Sequence, residues 1–261
     1  MPLLTKQELG GIPLASTLMH LLSIDKVNDL YDRNCSYKGP VFARAVLNDL
    51  GLRYEIKNED ILDSLPDGPF ITISNHPYGH IDGIILVDLF GHLRGDYKVM
   101  VNEILGRIAP LQPNFISVTP VGAERMPPTT TSMAGVKAVL KHVREGHPVG
   151  LFPAGAVSDL SIRDRCVRDR EWQEPVIRLI KKLDVPILPV TFIDGNSPFY
   201  YTLGLLDWRI RLLRLPYEVF NKRGKTIRIS IGNIISPEEQ GEFNDLNDFR
   251  QFLRNKVYVL K

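Results

Sequence analysis

The sequence contains little cysteine and no long hydrophobic run. Only Cys35 and Cys166 occur among its 261 residues, and neither belongs to a Cys-x-x-Cys motif, so we expect no disulfide framework and no cysteine metal site. This usage fits a reducing compartment. Because no stretch of about 18 consecutive apolar residues is present, we expect no membrane-spanning helix, and any contact with a membrane must be peripheral.

Strong charge and a leader pattern are also missing. The formal net charge is +2 and the pI is about 8.5, a balance too mild to indicate nucleic acid as a partner. Residues 1–11 lack the basic start and the long apolar core of a signal peptide, so we expect the protein in the cytoplasm.

Two common enzyme signatures are missing as well. There is no Gly-x-Ser-x-Gly motif, so a hydrolase built on this chain would need water as its nucleophile. The Gly-Lys-Thr at residues 224–226 is not a phosphate-binding P-loop, because no glycine stands five residues before Gly224 and a strand pattern follows. No group of residues has metal-ligand spacing, so we expect no metal and no other cofactor.

The hydrophobic patterning predicts an α/β fold. Apolar residues recur with helical spacing over residues 13–30 and 40–50, which predicts an N-terminal two-helix segment within residues 1–53. Over residues 54–261, short β-branched runs alternate with helical patterns, an order typical of a mostly parallel central sheet flanked by helices. At this length we expect a single domain, residues 1–261.

The most informative stretch is residues 70–83, Phe-Ile-Thr-Ile-Ser-Asn-His-Pro-Tyr-Gly-His-Ile-Asp-Gly. Its start predicts a buried strand, and its proline and glycines predict a loop before a helix that begins near Ile81. Five residues separate His76 from Asp82, so the carboxylate can bind one ring nitrogen and leave the other as a base. A purely structural His–Asp contact fits the same spacing, and His80 is an alternative base.

Residues 75–83, Asn-His-Pro-Tyr-Gly-His-Ile-Asp-Gly, resemble the first motif of the glycerolipid acyltransferase family, the lysophosphatidate acyltransferases and their relatives. They look most like the hemolysin-like branch, the lyso-amino-lipid (ornithine- and glycine-lipid) O-acyltransferases, whose motif reads Asn-His-Pro-x-Gly-x-x-Asp-Gly. The wider family has four residues between His and Asp, whereas that branch and this chain have five. The resemblance implies that His76 is the catalytic base and that Asp82 orients it.

A second segment, Phe-Pro-Ala-Gly at residues 152–155, resembles the family's third motif, which is usually Phe-Pro-Glu-Gly. The resemblance implies substrate-binding roles for Phe152, Pro153, Gly155 and the nearby Ser158. Ala154 stands where most relatives have a glutamate that helps to bind glycerol phosphate. This departure counts against lysophosphatidate as the acceptor.

Three shorter matches extend the resemblance. Residues 185–189 resemble the family's Val-Pro-x-x-Pro motif, and residues 195–197 match the Gly-x-Asn-Ser of the hemolysin-like branch, which implies a substrate-binding role for Asn196. In the family, an arginine after an earlier strand holds an anionic head group or the phosphates of an acyl carrier. Gly122 and Arg125 match that motif, so the resemblance implies this role for Arg125, and a solvated surface arginine is the alternative.

The resemblance implies an O-acyltransferase that moves a fatty acyl group from acyl carrier protein or coenzyme A to the hydroxyl of a lyso-lipid, either a lyso-amino-lipid or lysophosphatidate. Its partners would be that acyl thioester, the lyso-lipid acceptor and, as a peripheral contact, the inner face of the cell membrane. The two alternatives are a lipid or thioester hydrolase and a non-catalytic membrane-binding protein.

Two surface segments keep two interpretations each. Residues 198–215 combine apolar residues with tryptophan and arginine, which fits either an interfacial helix or a packed surface helix. If this segment is one helix, Asp207, Arg211 and Arg214 share a polar face. The alternating arginines and aspartates of residues 161–170 are typical of a solvated face, and contact with an acidic carrier protein or anionic lipid is the alternative.

Overall fold

A computed structural model describes residues 13–118 and 130–260 and confirms the predicted α/β fold. The strands of the described residues are β1 (Arg53–Lys57), β2 (Ile71–Ser74), β3 (Lys98–Asn102), β4 (Phe115–Val118), β5 (Val149–Leu151), β6 (Asp159–Ser161), β7 (Cys166–Arg168), β8 (Ile187–Phe192) and β9 (Thr226–Ile231). The α-helices are α1 (Pro13–Leu21), α2 (Ile24–Asn34), α3 (Gly39–Asp49), α4 (His80–Leu93), α5 (Thr130–Arg144), α6 (Glu174–Leu183), α7 (Pro198–Leu206), α8 (Trp208–Phe220), α9 (Pro237–Gly241) and α10 (Leu246–Tyr258). Short 3₁₀ helices cover Glu59–Ser64, Leu105–Arg107 and Ala109–Asn114.

Seven of these strands form one sheet in the order β1-β9-β8-β2-β5-β3-β4. Every neighbouring pair is parallel except β8 and β9, and the short strands β6 and β7 form a separate antiparallel hairpin. β2 lies at the centre of the sheet, and all four of its residues are fully buried. The strand is covered on both faces, so even its polar residues Thr72 and Ser74 are buried, and the Thr72 hydroxyl is hydrogen-bonded to that of Tyr97 at 2.7 Å.

Helices cover both faces of the sheet. On one face α3 and α4 pack together, and Ile85 of α4 lies in a core cluster with Phe70. On the other face α6 and α10 supply Ile177 and Phe249 to a second cluster that contains Ile71 of β2. Because neighbouring residues of a strand point to opposite faces, Phe70 and Ile71 belong to different cores.

Residues 13–53, the described part of the N-terminal segment, contain three helices in place of the two that the pattern indicates. Residues 13–30 are divided between α1 and α2, because Ser23 adopts φ 60°, a left-handed conformation outside the α-helical region. After α3, β1 pairs in parallel with β9 at the edge of the sheet. The break at Ser23 has no hydrophobic signal, whereas residues 53–57, Arg-Tyr-Glu-Ile-Lys, alternate polar and apolar side chains as a short strand does.

The apolar segment near residue 207 is likewise two helices. Asp207 is extended, with φ −159°, and its carboxylate accepts a 2.6 Å hydrogen bond from the Arg209 N–H, so α7 ends there and α8 begins. Within residues 13–118 and 130–260, no helix is both long and apolar enough to cross a membrane.

The carboxyl ends of the parallel strands β8, β2 and β5 meet at one edge of the sheet. Asn75 follows β2 directly, and its side chain continues the pairing with β8: Nδ2 donates to the Phe192 carbonyl at 2.9 Å, and Oδ1 accepts the Phe192 N–H at 2.8 Å. The side chain is buried, so these bonds form away from water. They fix the start of the loop that carries His76.

We expect Asn75→Ala to lower the free energy of unfolding by about 2–6 kcal/mol, because two buried backbone groups lose their partner at roughly 1–3 kcal/mol each. Urea unfolding followed by circular dichroism measures the change. Asn255→Ala, on the exposed side of α10, is the matched control and should shift stability by less than about 0.5 kcal/mol. Equal effects of the two changes would show that the Asn75 bonds add nothing.

Candidate active site

His76 and Asp82 are held together by the local geometry of the loop after β2. Nδ1 of His76 lies 3.0 Å from Oδ2 of Asp82, and the Asp82 side chain is completely buried in the first turn of α4. The same Oδ2 accepts the Tyr78 N–H at 3.1 Å. The partial positive charge at the start of a helix also favours a carboxylate at this position.

Gly79 is required for this arrangement. It precedes α4 with φ +89°, a backbone conformation that residues with a β-carbon rarely adopt. A β-carbon at this position would also lie 3.1 Å from side-chain atoms of both Leu215 and Val157. The glycine therefore allows the chain to reverse tightly between His76 and Asp82 while α8 packs against it.

The contact with Asp82 sets the chemical state of His76. Burial lowers the pKa of His76, but the charge and hydrogen bond of Asp82, assisted by the charge of Asp169, outweigh it and raise the pKa above its ordinary value. When Nδ1 carries the proton that Asp82 accepts, Nε2 has a free lone pair and can act as a base. His80, whose pKa is lowered mainly by burial, begins α4, and Asp82 bonds to His76 rather than to it.

Asp169 is a second buried carboxylate at the site, only 2% exposed. Its Oδ1 accepts hydrogen bonds from the backbone N–H of His76 at 3.1 Å and from the Ser158 hydroxyl at 2.5 Å. Its Oδ2 accepts one from the Trp172 indole N–H at 3.1 Å. Burial raises the pKa of this carboxyl, and the donors that surround it work in the opposite direction. The charge pattern of residues 161–170 predicts a solvated face, but Asp169 of this segment is buried.

The turn after β5 lies against His76. The ring centroids of His76 and Phe152 are 4.1 Å apart, and the Ser158 N–H donates to the His76 carbonyl at 2.9 Å. Gly155 has φ +64°, and its N–H donates to the Phe152 carbonyl at 2.9 Å within the turn. Two of the loop amides are thus already bonded, and Pro153 is buried beside them.

The loop after β8 braces the first loop from the other side. Asn196 is buried, and its Nδ2 donates to the Tyr78 carbonyl at 3.1 Å. The Tyr201 hydroxyl donates to the Pro77 carbonyl at 2.8 Å and accepts the Asn196 N–H at 3.0 Å. Asn196 therefore contacts the backbone of the histidine loop.

An apolar cavity of about 370 Å³ opens at these loops. His76, Gly79, Phe152 and Gly155 line it at the loop end. Most of the remaining wall is apolar and comes from α2, α3, α4, β3 and the segment after β3, including Ile24, Leu30, Phe42, Val46, Ile84, Val101, Leu105, Ile108 and Phe115. A histidine bonded to a carboxylate thus faces a space suited to a hydrocarbon group.

A sequence model of the family described as Acyltransferase matches residues 17–261. The chain belongs to the acyltransferase family. The His76–Asp82 pair and the apolar cavity of this acyltransferase lie inside the matched region.

Relatives and solved structures agree with the assignment. The acyltransferase is similar to proteins named Lyso-glycine lipid O-acyltransferase from Phocaeicola vulgatus, at 26% identity over 255 residues, and from Bacteroides thetaiotaomicron, at 25% over 255 residues. These matches cover 95% of this chain and 87% and 89% of the relatives. The crystal structure of PlsC, the 1-acyl-sn-glycerophosphate acyltransferase of Thermotoga maritima, matches with a TM-score of 0.50 at 12% identity, covering 84% of this chain and 79% of that one, and shows a shared fold.

The structure brings most of the sequence-predicted residues of the acyltransferase together. His76 and Phe152 are in contact, and both line the cavity with Gly155. Ser158 lies behind them, bonded to Asp169. Arg125 falls in residues 119–129, outside the described part of the chain.

Two further residues of the acyltransferase contact these loops and were not predicted. The Arg211 side chain, 3% exposed, donates to the carbonyls of Val157 and Ser158 at 3.1 Å each and pairs with Asp159. A shared polar face for Asp207, Arg211 and Arg214 requires one helix, and the break at Asp207 removes that condition; Arg211 instead packs over the turn after β5. Gln173 lines the cavity, and its side chain donates to the Ala154 carbonyl at 3.3 Å.

We expect the imidazole of His76 to titrate above its ordinary pKa and that of His80 below it, as measured by NMR titration of labelled histidine. Asp82→Asn should lower the pKa of His76, because the ring remains buried while the attraction to the carboxylate is lost. Asp96→Asn, which changes a carboxylate bonded to His147, is the control and should leave His76 unchanged. An unchanged pKa of His76 in Asp82→Asn would show that Asp82 does not raise the pKa of the ring.

Proposed function

We propose that the protein transfers a fatty acyl group from a thioester, on acyl carrier protein or coenzyme A, to the hydroxyl of a lyso-lipid. The observation that carries the proposal is the carboxylate-bound His76 at the mouth of an apolar cavity. The names of the two relatives support a lyso-amino-lipid such as lyso-glycine lipid as the acceptor. Because a lyso-lipid resides in a membrane, we include peripheral contact with the inner face of the cell membrane in the proposal.

His76 acts as the general base in this proposal. Its Nε2 takes the proton of the acceptor hydroxyl while that oxygen attacks the thioester carbonyl, and the thiolate leaves when the tetrahedral intermediate collapses. The imidazolium formed in between is stabilised by Asp82, which is bonded to Nδ1, and by the nearby charge of Asp169. The proton then passes from His76 to the thiolate, so the base is regenerated.

The negative charge of the intermediate needs donors close to the carbonyl. The amides of Gly155 and Ser158 are engaged within the protein, so we assign this role to other amides of the turn after β5 and to the N-terminal end of α4. Phe152 and Gly155 line the cavity and are proposed to contact substrate. Pro153, Ser158 and Asn196 are proposed to act through the shape of the two loops that bind it.

The acceptor preference rests on position 154 and on the relatives. Ala154 is buried and packs in the second core cluster, so this position offers no carboxylate to a glycerol phosphate. We therefore rank a lyso-amino-lipid above lysophosphatidate. Arg125, which the resemblance assigns to an anionic head group or the phosphates of the donor, keeps that role as a proposal.

His76→Ala should lower acyl transfer by about 100- to 10,000-fold, the usual contribution of a general base. The assay follows radiolabelled acyl groups from acyl carrier protein or coenzyme A into diacyl product, with lyso-glycine lipid and lysophosphatidate as parallel acceptors. We expect the wild type to favour lyso-glycine lipid.

His147→Ala is the matched control, because His147 is also bonded to a carboxylate, Asp96, at 2.7 Å but does not line the cavity. It should retain wild-type transfer. Full transfer in His76→Ala would reject the mechanism, and release of free fatty acid by the wild type at the rate of transfer would favour a hydrolase.

The pH dependence of kcat/KM should follow His76. Nε2 accepts a proton only when the ring is neutral, so activity rises as the pH increases through the raised pKa of His76. Asp169→Asn removes one of the two carboxylates that raise this pKa and should shift the rising limb to lower pH. Asp164→Asn, an exposed aspartate of the same segment, is the control and should leave the profile in place. An unmoved limb in Asp169→Asn would show that its charge does not reach His76.

A further inference from the structure

We infer that one corner of the protein docks on a membrane surface that carries anionic lipid. The corner, here named the α7–α8 corner, consists of the exposed apolar side chains of residues 205–213. Its members are Leu205, Leu206, Trp208, Ile210, Leu212 and Leu213. The inference rests on the proposed function, because a lyso-lipid acceptor must reach the site from a membrane.

The exposed apolar side chains of this corner lie close together in the sequence. Within nine consecutive residues these six large apolar side chains face solvent, and Leu206 is 77% exposed. Single exposed apolar residues are ordinary on protein surfaces, whereas contiguous apolar patches mark contacts with proteins or membranes. Phe199, also exposed, extends the corner along α7.

The opposite side of the same two helices is firmly attached to the site. Tyr201 of α7 is buried and bonded to the Pro77 carbonyl, and the buried Arg211 of α8 holds the carbonyls of Val157 and Ser158. The helices therefore have a well-packed inner face. Their outer apolar residues are not part of a loosely formed core, and they need another reason to be apolar.

The helix α8 contributes both to the corner and to the wall of the cavity. Pro216 and Val219 of α8 line the cavity, and Leu215 lies against Gly79 of the histidine loop. A lipid surface at the outer side of α8 would thus lie one helix away from His76. A lyso-lipid leaving the membrane beside this helix has a short route to the site.

The charges around the corner favour an anionic surface. The Arg209 side chain is 65% exposed, lies 3.9 Å from the Asp207 carboxylate, and has its guanidinium 5.0 Å from the centre of the Trp208 ring. The β6–β7 hairpin packs against α7, and its turn carries the exposed residues Arg163 and Arg165. Asp164 of the same turn and Asp207 of the corner partly offset these cations, so the arginines leave a positive excess that anionic head groups attract.

The length and composition of the helices indicate how they would contact lipid. α7 has nine residues and α8 has thirteen, whereas a span needs about 20. Short helices with tryptophan and arginine beside aliphatic side chains lie in the plane of the interface, with the apolar side among the acyl chains. Tryptophan and arginine are also common at contacts between proteins, so the choice of a lipid surface rests on the positive charge beside the corner and on the membrane origin of the proposed acceptor.

The test measures sedimentation of the full chain with vesicles. We expect the wild type to bind equimolar phosphatidylcholine and phosphatidylglycerol more tightly than phosphatidylcholine alone. The double variant Leu206→Ser with Leu213→Ser should lose about 10-fold or more in vesicle affinity, because two buried leucines are removed from the contact. Leu93→Ser with Val259→Ser changes two exposed apolar residues elsewhere and should bind as the wild type does.

Activity assays separate this inference from the proposed function. With a short-chain lyso-lipid dissolved below its aggregation threshold, the Leu206 and Leu213 double variant should keep wild-type transfer, and with the same acceptor in vesicles it should fall about 10-fold. Vesicle binding by a wild type that acylates no lyso-lipid would reject the function and leave the docking surface standing.

Four results would overturn the inference. The first is unchanged vesicle binding in the Leu206 and Leu213 variant. The second is equal binding of the wild type to both vesicle types, which removes the charge preference. The third is a wild-type dimer that becomes monomeric in the variant without any vesicle binding, which makes the corner an interface between copies. The fourth is loss of binding to acyl carrier protein in the variant, again without vesicle binding by the wild type.

Discussion

The carboxylate of Asp82 is fully buried, and the groups that stabilise it there also form the site. A buried charge is costly unless hydrogen bonds and opposite partial charges surround it. Here the His76 ring, the Tyr78 N–H and the first turn of α4 converge on that side chain. The loop between His76 and Asp82 must close tightly for them to meet, which explains the reversal at Gly79. The orientation of the His76 ring is therefore a condition of folding this loop.

The same requirement extends to the loops on either side. Asn75 bonds the backbone of β8, Asn196 bonds the Tyr78 carbonyl, and Asp169 collects donors from His76 and Ser158. Each of these polar side chains is buried, so each would carry an unpaired group if its neighbour moved. The three strand ends thus hold one another in a single arrangement. A base whose partner positions are fixed in advance needs little reorganisation during reaction.

Much of this could be predicted from the sequence, and the exceptions have a common cause. The continuous apolar run at residues 70–73 predicts the central strand because a sheet covered on both faces leaves a strong local signal. The His76–Asp82 pair follows from loop length and from the motif. Asp169 and Arg211 could not be recognised, since a charged residue that finds buried partners far along the chain looks the same in sequence as a solvated one. Their partners lie on other elements, and the pattern of a single segment does not contain that information.

The break between α7 and α8 is missed for a related reason. Both halves have an apolar pattern, and only the extended backbone of Asp207, capping the next helix, separates them. The edge strand β1 does alternate polar and apolar residues, but its pattern covers only five residues, and its pairing with β9 fixes its place at the edge of the sheet. The sequence predicts whether a segment is a helix or a strand when that segment is buried on both sides. It does not predict where a helix or strand ends when contacts with a neighbouring segment decide the end.

The ring of Phe152 beside His76 has a consequence for selectivity between alcohol and water. One face of the imidazole is covered at a centroid distance of 4.1 Å, and only 16% of the His76 side chain is exposed. Few water molecules can then lie next to Nε2 of His76, whereas the apolar walls would concentrate an alcohol attached to a hydrocarbon tail there. In the proposed mechanism, an aromatic side chain that takes no part in proton transfer would thus favour ester formation over hydrolysis of the thioester.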